Sequence, residues 1–203
     1  MKSAKKHFEQ NIERVKNLGS IYKTINLQTT QVVDLSDILR AQYVLLVSAL
    51  DHFVHELVRL GMIEIYNGKR KTTKEFKAFI LSIDKEVLFK KAIMEEKNDI
   101  WLDYQIRYKN GFKSFQQADK IKEAMLLIID TDIWEQVAEI LNEDIKSLKN
   151  RLNLIIDRRN QIAHEADIEP TYQELRNIHI DDINDSIEYI ENIVITIFEV
   201  CKL

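Results

Sequence analysis

The sequence predicts an all-α fold, and two observations carry that prediction. Only four glycines and one proline occur in 203 residues, which leaves few positions for the tight turns of a sheet-rich protein. Apolar residues recur at steps of three and four along most of the chain, which is the period of an amphipathic helix. We therefore expect a single domain over residues 1–203, an antiparallel helical bundle in which residues 68–118 are helices inserted between the core helix pairs.

The apolar pattern of the first 67 residues predicts two helices. A first helix should end near Gly19, and a polar connector should follow over residues 26–31. A second helix should begin at Asp34 or Ser36 and run to Asn67, apolar enough to be the central helix of the domain. The apolar positions of the first helix step by four, three and three: Phe8, Ile12, Val15 and Leu18.

The middle of the chain predicts a capped helix and an aromatic segment. Thr72 or Thr73 should cap a helix after the basic loop KRKTTK, and residues 84–109 should be helical, ending in WLDYQIRY before a break at Gly111. The aromatic residues of this segment have two interpretations. They pack inside an inserted helical hairpin, or they stack on bases with the help of the neighbouring cations Arg107, Lys109 and Lys113.

Four further helices are predicted in the last part. The first should span residues 120–129, and the second is a short helix capped by Asp130 or Thr131. The third should span residues 145–164, and the last should follow a loop around Pro170 and begin near Asp181 or Asp182. The final helix carries a clean apolar seam that ends at Cys201. As the only cysteine, Cys201 excludes an internal disulfide, and we expect it to be buried.

Charge and the N-terminal residues narrow the function classes. The net charge of −4 argues against a protein that coats nucleic acid by charge alone, so any nucleic-acid contact should be confined to a local basic cleft. The N-terminal segment MKSAKKHFEQNIERV is basic but lacks an apolar run. We therefore expect no secretory signal, no membrane association and a cytoplasmic location.

The segment RLNLIIDRRNQIAHEADIEP places polar groups on a core helix. Its apolar seam comprises Ile145, Leu148, Leu152, Ile155 and Ile162, and the position that the seam skips is Arg159. Asn160 follows directly, and His164 lies five residues after Arg159. The seam therefore puts an arginine, an amide and an imidazole close together near a helix end.

These three groups suit the cleavage of RNA without a metal. The chain has no glycine-rich phosphate loop, no HExxH motif and no serine nucleophile elbow, so we expect no cofactor. In such a reaction the ribose 2′-OH attacks the adjacent phosphodiester, His164 transfers a proton, and Arg159 stabilises the charge that develops on the phosphorus oxygens.

Helix geometry limits this arrangement. Five residues correspond to roughly 140° of rotation, so Arg159 and His164 should not point the same way on one ideal helix. A two-fold dimer across the helix end would bring two arginines and two histidines together and would supply both an acid and a base. The sequence thus favours a homodimer with the site at its interface.

A polar stripe on the second helix is the other candidate. Ser48, Asp51, His52, His55 and Arg59 share one face. This stripe is a solvated face, or it faces Arg159 and His164 and orients them. A metal site built from its carboxylate and histidines is allowed by the spacing but is disfavoured.

Three strings resemble a known family. RNQIAH, formed by Arg159, Asn160 and His164, is similar to the R-x4-6-H motif of the HEPN superfamily, and the wider string RRNQIAHEADIEP resembles the RiboL-PSP-HEPN family. LVSALDHFVHELVR and FKSFQQADKI match in the same order. The resemblance extends from about Ser36 to the last helix.

The resemblance implies a helical dimer with the motif at its interface and a metal-independent endoribonuclease that leaves a 2′,3′-cyclic phosphate. Such proteins are often toxins or phage-defence effectors, so an antitoxin or defence-system protein is an expected partner. It implies that Arg159 and His164 are catalytic and that Asn160 supports them. Our own inference adds Arg158 as a phosphate contact and Asp51, His55 and Ser48 as supporting residues.

Two other hypotheses remain open. The chain could be a non-catalytic HEPN module that binds a partner or a nucleotide. Alternatively, Arg159 could be purely structural, in a buried ion pair with Asp51 or Asp157, with His164 at a capped helix end.

Overall fold

A computed structural model describes residues 1–30, 33–83, 87 and 99–202. The helices of these residues are α1 (Lys2–Gln28), α2 (Ser36–Tyr66), α3 (Lys74–Leu81), α4 (Ile100–Asn110), α5 (Ala118–Met125), α6 (Ile133–Leu141), α7 (Ile145–His164) and α8 (Ile180–Lys202). A two-stranded antiparallel hairpin, β1 (Ile168–Glu169) and β2 (Glu174–Leu175), lies between α7 and α8. The all-α prediction is confirmed, and this hairpin is the one element of another type that the described residues contain.

Helix α2 is the centre of the fold, as its composition predicts. It packs against α1, α4, α5, α7 and α8. Its inner side chains are fully buried: Leu46, Val47, Leu50, Phe53, Val54, Leu57, Val58 and Met62. Because a helix that is apolar on much of its circumference must be covered on most sides, the other helices are arranged around it.

The helix pairs at the two ends of the chain are antiparallel. The N-terminal amine of Met1 lies 3.5 Å from Glu64 near the end of α2, whereas Gly19 approaches Gln42 near its start. At the other end, the Tyr189 hydroxyl donates to the carbonyl of Leu148 near the start of α7 (2.6 Å), and Arg158 nearer the end of α7 donates to the carbonyl of Asn177, which precedes α8 (3.2 Å).

The prediction that α1 ends near Gly19 is wrong, because the helix continues to Gln28. Gly19 is buried, and a Cβ atom at this position would lie 2.8 Å from the side-chain nitrogen of Gln42. The glycine therefore permits a close approach between α1 and α2 and does not end the helix. The predicted connector over residues 26–31 accordingly begins later, and Gln31 lies outside the described residues.

The capping predictions are partly confirmed. The Thr73 hydroxyl accepts a hydrogen bond from the backbone N–H of Phe76, so Thr73 caps α3. Asp132 caps α6, and neither Asp130 nor Thr131 does. The predicted helix over residues 120–129 is displaced toward the N-terminus, because α5 ends at Met125.

The predicted insertion is described only in part. Of the predicted helical segment 84–109, residues 100–109 lie in α4, and residues 84–86 and 88–98 lie outside the described residues. The single domain with an insertion at residues 68–118 stays a prediction. Cys201 is buried as expected, and this burial raises the pKa of its thiol to about 12. In the described ranges, no helix combines the length and the apolar character that crossing a membrane requires.

Candidate functional site

A groove of about 680 Å³ runs between α7 and residues 113–127, a segment that contains α5. On the α7 side its lining includes Arg159, Asn160 and His164. On the other side it is lined by Lys113, Ser114, Phe115, Gln116, Gln117, Lys120, Glu123, Ala124 and Leu127. The three residues predicted to be catalytic therefore line one groove of one chain.

The face of α7 explains how these residues meet. Asn153, Ile156, Asn160 and His164 are spaced three, four and four residues apart, so they follow one stripe along the helix. Arg159 lies roughly 100° around the helix from Asn160, but its side chain is long enough to reach the same groove. The predicted divergence of Arg159 and His164 therefore does not prevent both from lining the groove.

None of the three side chains has a partner in the part of the chain that the structure describes. Arg159 and Asn160 are half-buried, and His164, the last residue of α7, is exposed. The described residues offer no hydrogen bond or ion pair to any of these three side chains. A half-buried guanidinium without a counter-ion is available to bind an anion.

The structural hypothesis for Arg159 is wrong with respect to its predicted partners. Asp51 accepts a hydrogen bond from the backbone N–H of Phe115 instead, and Asp157 is exposed. The buried ion pair of this region belongs to the preceding residue, Arg158.

Arg158 binds Asp167, which is fully buried. One nitrogen of Arg158 donates to Asp167 Oδ2 at 2.9 Å, the other donates to Asp167 Oδ1, and the Arg40 Nε donates to Asp167 Oδ2 at 2.7 Å. Two arginines thus enclose one carboxylate, and we call Arg40, Arg158 and Asp167 the arginine clip. Arg158 is not among the lining residues of the groove, and its predicted contact with phosphate stays a prediction.

The clip holds the chain where it leaves α7. Ala166 and Asp167 both have left-handed backbones, with φ of 51° and 58°, and the Asp167 N–H donates to the carbonyl of Gln161. Residues other than glycine adopt this conformation at a cost, so the ion pairs help to hold it. The clip therefore fixes the helix end at which His164 lies.

The opposite wall of the groove is held through its backbone. Phe115 N–H donates to Asp51 Oδ1 (2.7 Å), and His55 Nε2 lies 3.1 Å from the carbonyl oxygen of Lys113. At the start of α5, Ala118 N–H donates to Asn153 Oδ1 (3.0 Å) on α7. Side chains of α2 and α7 thus hold the wall at a set distance from Arg159.

The polar stripe of α2 does not itself line this groove. Ser48, Asp51, His52, His55 and Arg59 line a neighbouring groove of about 340 Å³. Asp51 and His55 reach the Arg159 groove only through the wall that they hold, and Ser48 is exposed. Within the described residues, no group of three or more histidine, cysteine, aspartate or glutamate side chains could hold a metal ion.

The groove is locally basic although the chain is acidic. The described residues of its lining include the cations Lys113, Lys120 and Arg159 and one carboxylate, Glu123, which pairs with Lys120 at 2.8 Å. This concentration of positive charge matches the focused basic cleft that the net charge of −4 allows.

Sequence reasoning missed two parts of the site. It did not identify Lys120, Gln116 and Gln117 as lining residues, although they belong to the string FKSFQQADKI that carries the family resemblance. It also missed Arg40 and Asp167. An arginine within the apolar α2 was the available signal, because a buried arginine requires a counter-ion.

Comparisons with known proteins give one match. No curated protein and no solved structure matches the chain. The sequence model of the RiboL-PSP-HEPN family matches residues 9–202, which is nearly the whole chain. The match agrees with the helical fold and with the resemblance of the RNQIAH motif, and the chain belongs to the RiboL-PSP-HEPN family.

Proposed function

We propose that this protein is a metal-independent endoribonuclease of the HEPN type. The observation that supports the proposal most is the groove in which Arg159, Asn160 and His164 lie together without a described partner, beside Lys113. Polar side chains that are removed from water are normally paired, as the half-buried Arg158 is. The half-buried Arg159 and Asn160 have no such partner among the described residues, and an anionic ligand in the basic groove would supply one.

The nucleophile of this reaction is carried by the RNA, and the groove of one chain supplies a phosphate-binding group and one proton-transfer group. The 2′-oxygen attacks the adjacent phosphorus, the bond from phosphorus to the 5′-oxygen breaks, and the products are a 2′,3′-cyclic phosphate and a 5′-hydroxyl. One proton leaves the 2′-OH and one reaches the departing 5′-oxygen. His164 transfers one of these protons, Arg159 binds the phosphorus oxygens in the transition state, and Asn160 orients the phosphate.

A homodimer would supply the second proton-transfer group. Among the described residues, one histidine lines the groove of a chain, and the carboxylate of the lining, Glu123, pairs with Lys120. A second copy that presents its own His164 across a two-fold axis would provide an acid and a base at one phosphate. The homodimer is therefore part of the proposal.

The setting that we propose is the cytoplasm, where the enzyme would act as a toxin or a phage-defence effector. An antitoxin or another defence-system protein would then control it, since an unregulated ribonuclease harms its host. The alternative is a non-catalytic HEPN module, for which the same unpaired Arg159 would bind a nucleotide or a partner without cleavage.

Cleavage of single-stranded RNA in EDTA tests the proposal. Wild-type protein should release fragments with 2′,3′-cyclic phosphate ends, and His164→Ala should lower the rate by about 10²- to 10⁴-fold without changing the circular dichroism spectrum. His179→Ala, which removes an exposed histidine outside the groove, is the matched control and should retain activity.

Two outcomes would contradict the proposal. Full activity in His164→Ala would exclude the assigned mechanism. RNA that stays intact with pure wild-type protein at micromolar concentration would favour the non-catalytic module.

A further inference from the structure

Helix α4 exposes a row of apolar side chains next to the groove. Ile100, Tyr104 and Tyr108 are 66%, 64% and 64% exposed, and Phe112, just beyond the helix, is 95% exposed. These residues are spaced by four, so they lie along one side of the helix. The opposite side carries the buried Leu102 and Ile106, so α4 is anchored in the core while this row faces outward.

The aromatic rings of this row present flat faces. The rings of Tyr104 and Tyr108 are nearly parallel, with an interplanar angle of 9° and centroids 6.3 Å apart. Phe112 directly precedes Lys113, which lines the groove of Arg159. We call Tyr104, Tyr108 and Phe112 the aromatic row, and this row ends one residue before the groove residue Lys113.

The cations of this region differ in whether the protein pairs them. Arg107 donates to Asp103 (3.0 Å), and Lys109 donates to the carbonyl of Ser82 (2.7 Å), so both cations are engaged by the protein. The Lys113 ammonium has no partner among the described residues. Of these three cations, the one without a described partner thus lies at the groove, and the two beside the aromatic row are paired.

We infer that the aromatic row is a stacking platform for the bases of single-stranded RNA that flank the scissile phosphate. The inference rests on the proposed function, because it takes the occupant of the groove to be RNA. Aromatic side chains stack on unpaired bases of any sequence, whereas a duplex keeps its base faces inside the helix. The row ends one residue before Lys113, whose ammonium has no partner among the described residues, and this cation favours RNA over a second copy of the chain as the occupant.

Binding of a labelled oligoadenylate in the His164→Ala background tests the platform, because that background prevents cleavage. Each lost stacking contact should weaken binding about tenfold, so Tyr104→Ala/Tyr108→Ala should bind an oligomer of about twelve nucleotides roughly 100-fold more weakly. The ratio of the affinity for this oligomer to the affinity for a trinucleotide should fall by the same factor. Tyr104→Phe/Tyr108→Phe keeps both rings and should restore the affinity.

A matched control is Leu27→Ala/Ile140→Ala, which removes two exposed apolar side chains from α1 and α6. It should bind both oligonucleotides as the parent does. Light scattering on every variant reports the oligomeric state in parallel, because dissociation of a dimer by the tyrosine substitutions would identify the row as an interface between copies and overturn the inference.

The outcomes separate the platform from the ribonuclease. Cleavage by wild-type protein with an unchanged KM in the Tyr104→Ala/Tyr108→Ala variant would support the ribonuclease and overturn the platform. Ring-dependent binding of RNA that wild-type protein does not cleave would support the platform and overturn the ribonuclease. RNA that wild-type protein neither binds nor cleaves would overturn both.

Discussion

Arg158 and Arg159 are adjacent in the sequence but lie in opposite environments. Arg158 binds the fully buried Asp167 with two nitrogens, and Arg40 binds the same carboxylate. Arg159 has no partner among the described residues and lines the groove with His164. The rotation of roughly 100° between neighbours on a helix is enough to put one arginine into a structural clip and the other into a candidate site.

The comparison shows that residue type does not decide the role of an arginine. A guanidinium that is enclosed by carboxylate and carbonyl oxygens stabilises the chain that it holds. A guanidinium of the same helix without such partners is available for a ligand. Substitutions that separate stability from activity can therefore test the distinction directly.

The largest effect on stability is expected at the centre of the clip. Asp167→Ala should lower the free energy of unfolding by about 3 to 5 kcal/mol, because it leaves two arginines without their shared carboxylate. Urea denaturation measures this change. Asp157→Ala, which removes an exposed carboxylate of α7, is the control and should change stability by less than about 0.5 kcal/mol.

The two arginines should differ in the same assay. Arg158→Ala should cost about 1.5 to 3 kcal/mol, the usual range for hydrogen bonds to charged groups, since Arg40 continues to bind Asp167. Arg159→Ala should stay within about 0.5 kcal/mol of wild type. Equal destabilisation by both substitutions would show that Arg159 is also structural.

A smaller effect is expected at the wall of the groove. Asp51→Ala removes the acceptor of the Phe115 N–H and should cost about 1 to 2 kcal/mol. It should also raise the KM for RNA, because the wall with Lys113 and Lys120 loses its attachment to α2. Asp51→Asn retains an acceptor oxygen and should stay close to wild type in both measurements. An unchanged KM in Asp51→Ala would show that RNA binding does not depend on the attachment of this wall to α2.

The smallest effect concerns the ion pair of Glu56 with Arg59, which lies outside the Arg159 groove and joins a guanidinium nitrogen to Oε2 at 2.8 Å. Burial raises the pKa of Glu56, but the hydrogen bonds and the charge of Arg59 outweigh burial and hold this pKa below 4.5. A lowered folded-state pKa means stabilisation that is present above pH 4.5 and is lost as the pH falls through the folded-state value.

Denaturation of wild type and Glu56→Gln at pH 7 and at about pH 3 measures this contribution. The free energy of unfolding of wild type should exceed that of Glu56→Gln at pH 7, and this difference should shrink at about pH 3. An advantage that is the same at both pH values would contradict the assigned ion pair.

The parts of the molecule that sequence reasoning reached are those that depend on local patterns. The apolar periodicity predicted the helices, and the polar residue in the seam of α7 predicted Arg159. The parts that it missed depend on contacts between distant segments. Asp167 meets Arg40 across 127 positions of the chain, and Gly19 serves a contact with Gln42 that no local pattern reveals.

The wall of the groove is a further example. Lys113 and Lys120 become lining residues only because Asp51, His55 and Asn153 hold the segment between them. The sequence showed a polar stripe on α2, but it did not show that the stripe acts through backbone groups of another segment. Periodicity identifies the face of a helix and leaves its partner open.

The most direct test of the account is the kcat/KM of Arg159→Ala on single-stranded RNA in EDTA, measured on protein with an unchanged free energy of unfolding. We predict a loss of about 10²- to 10³-fold, the effect of removing one group that stabilises developing charge in a transition state. Wild-type kcat/KM in this folded variant would contradict the assignment of Arg159 to the reaction.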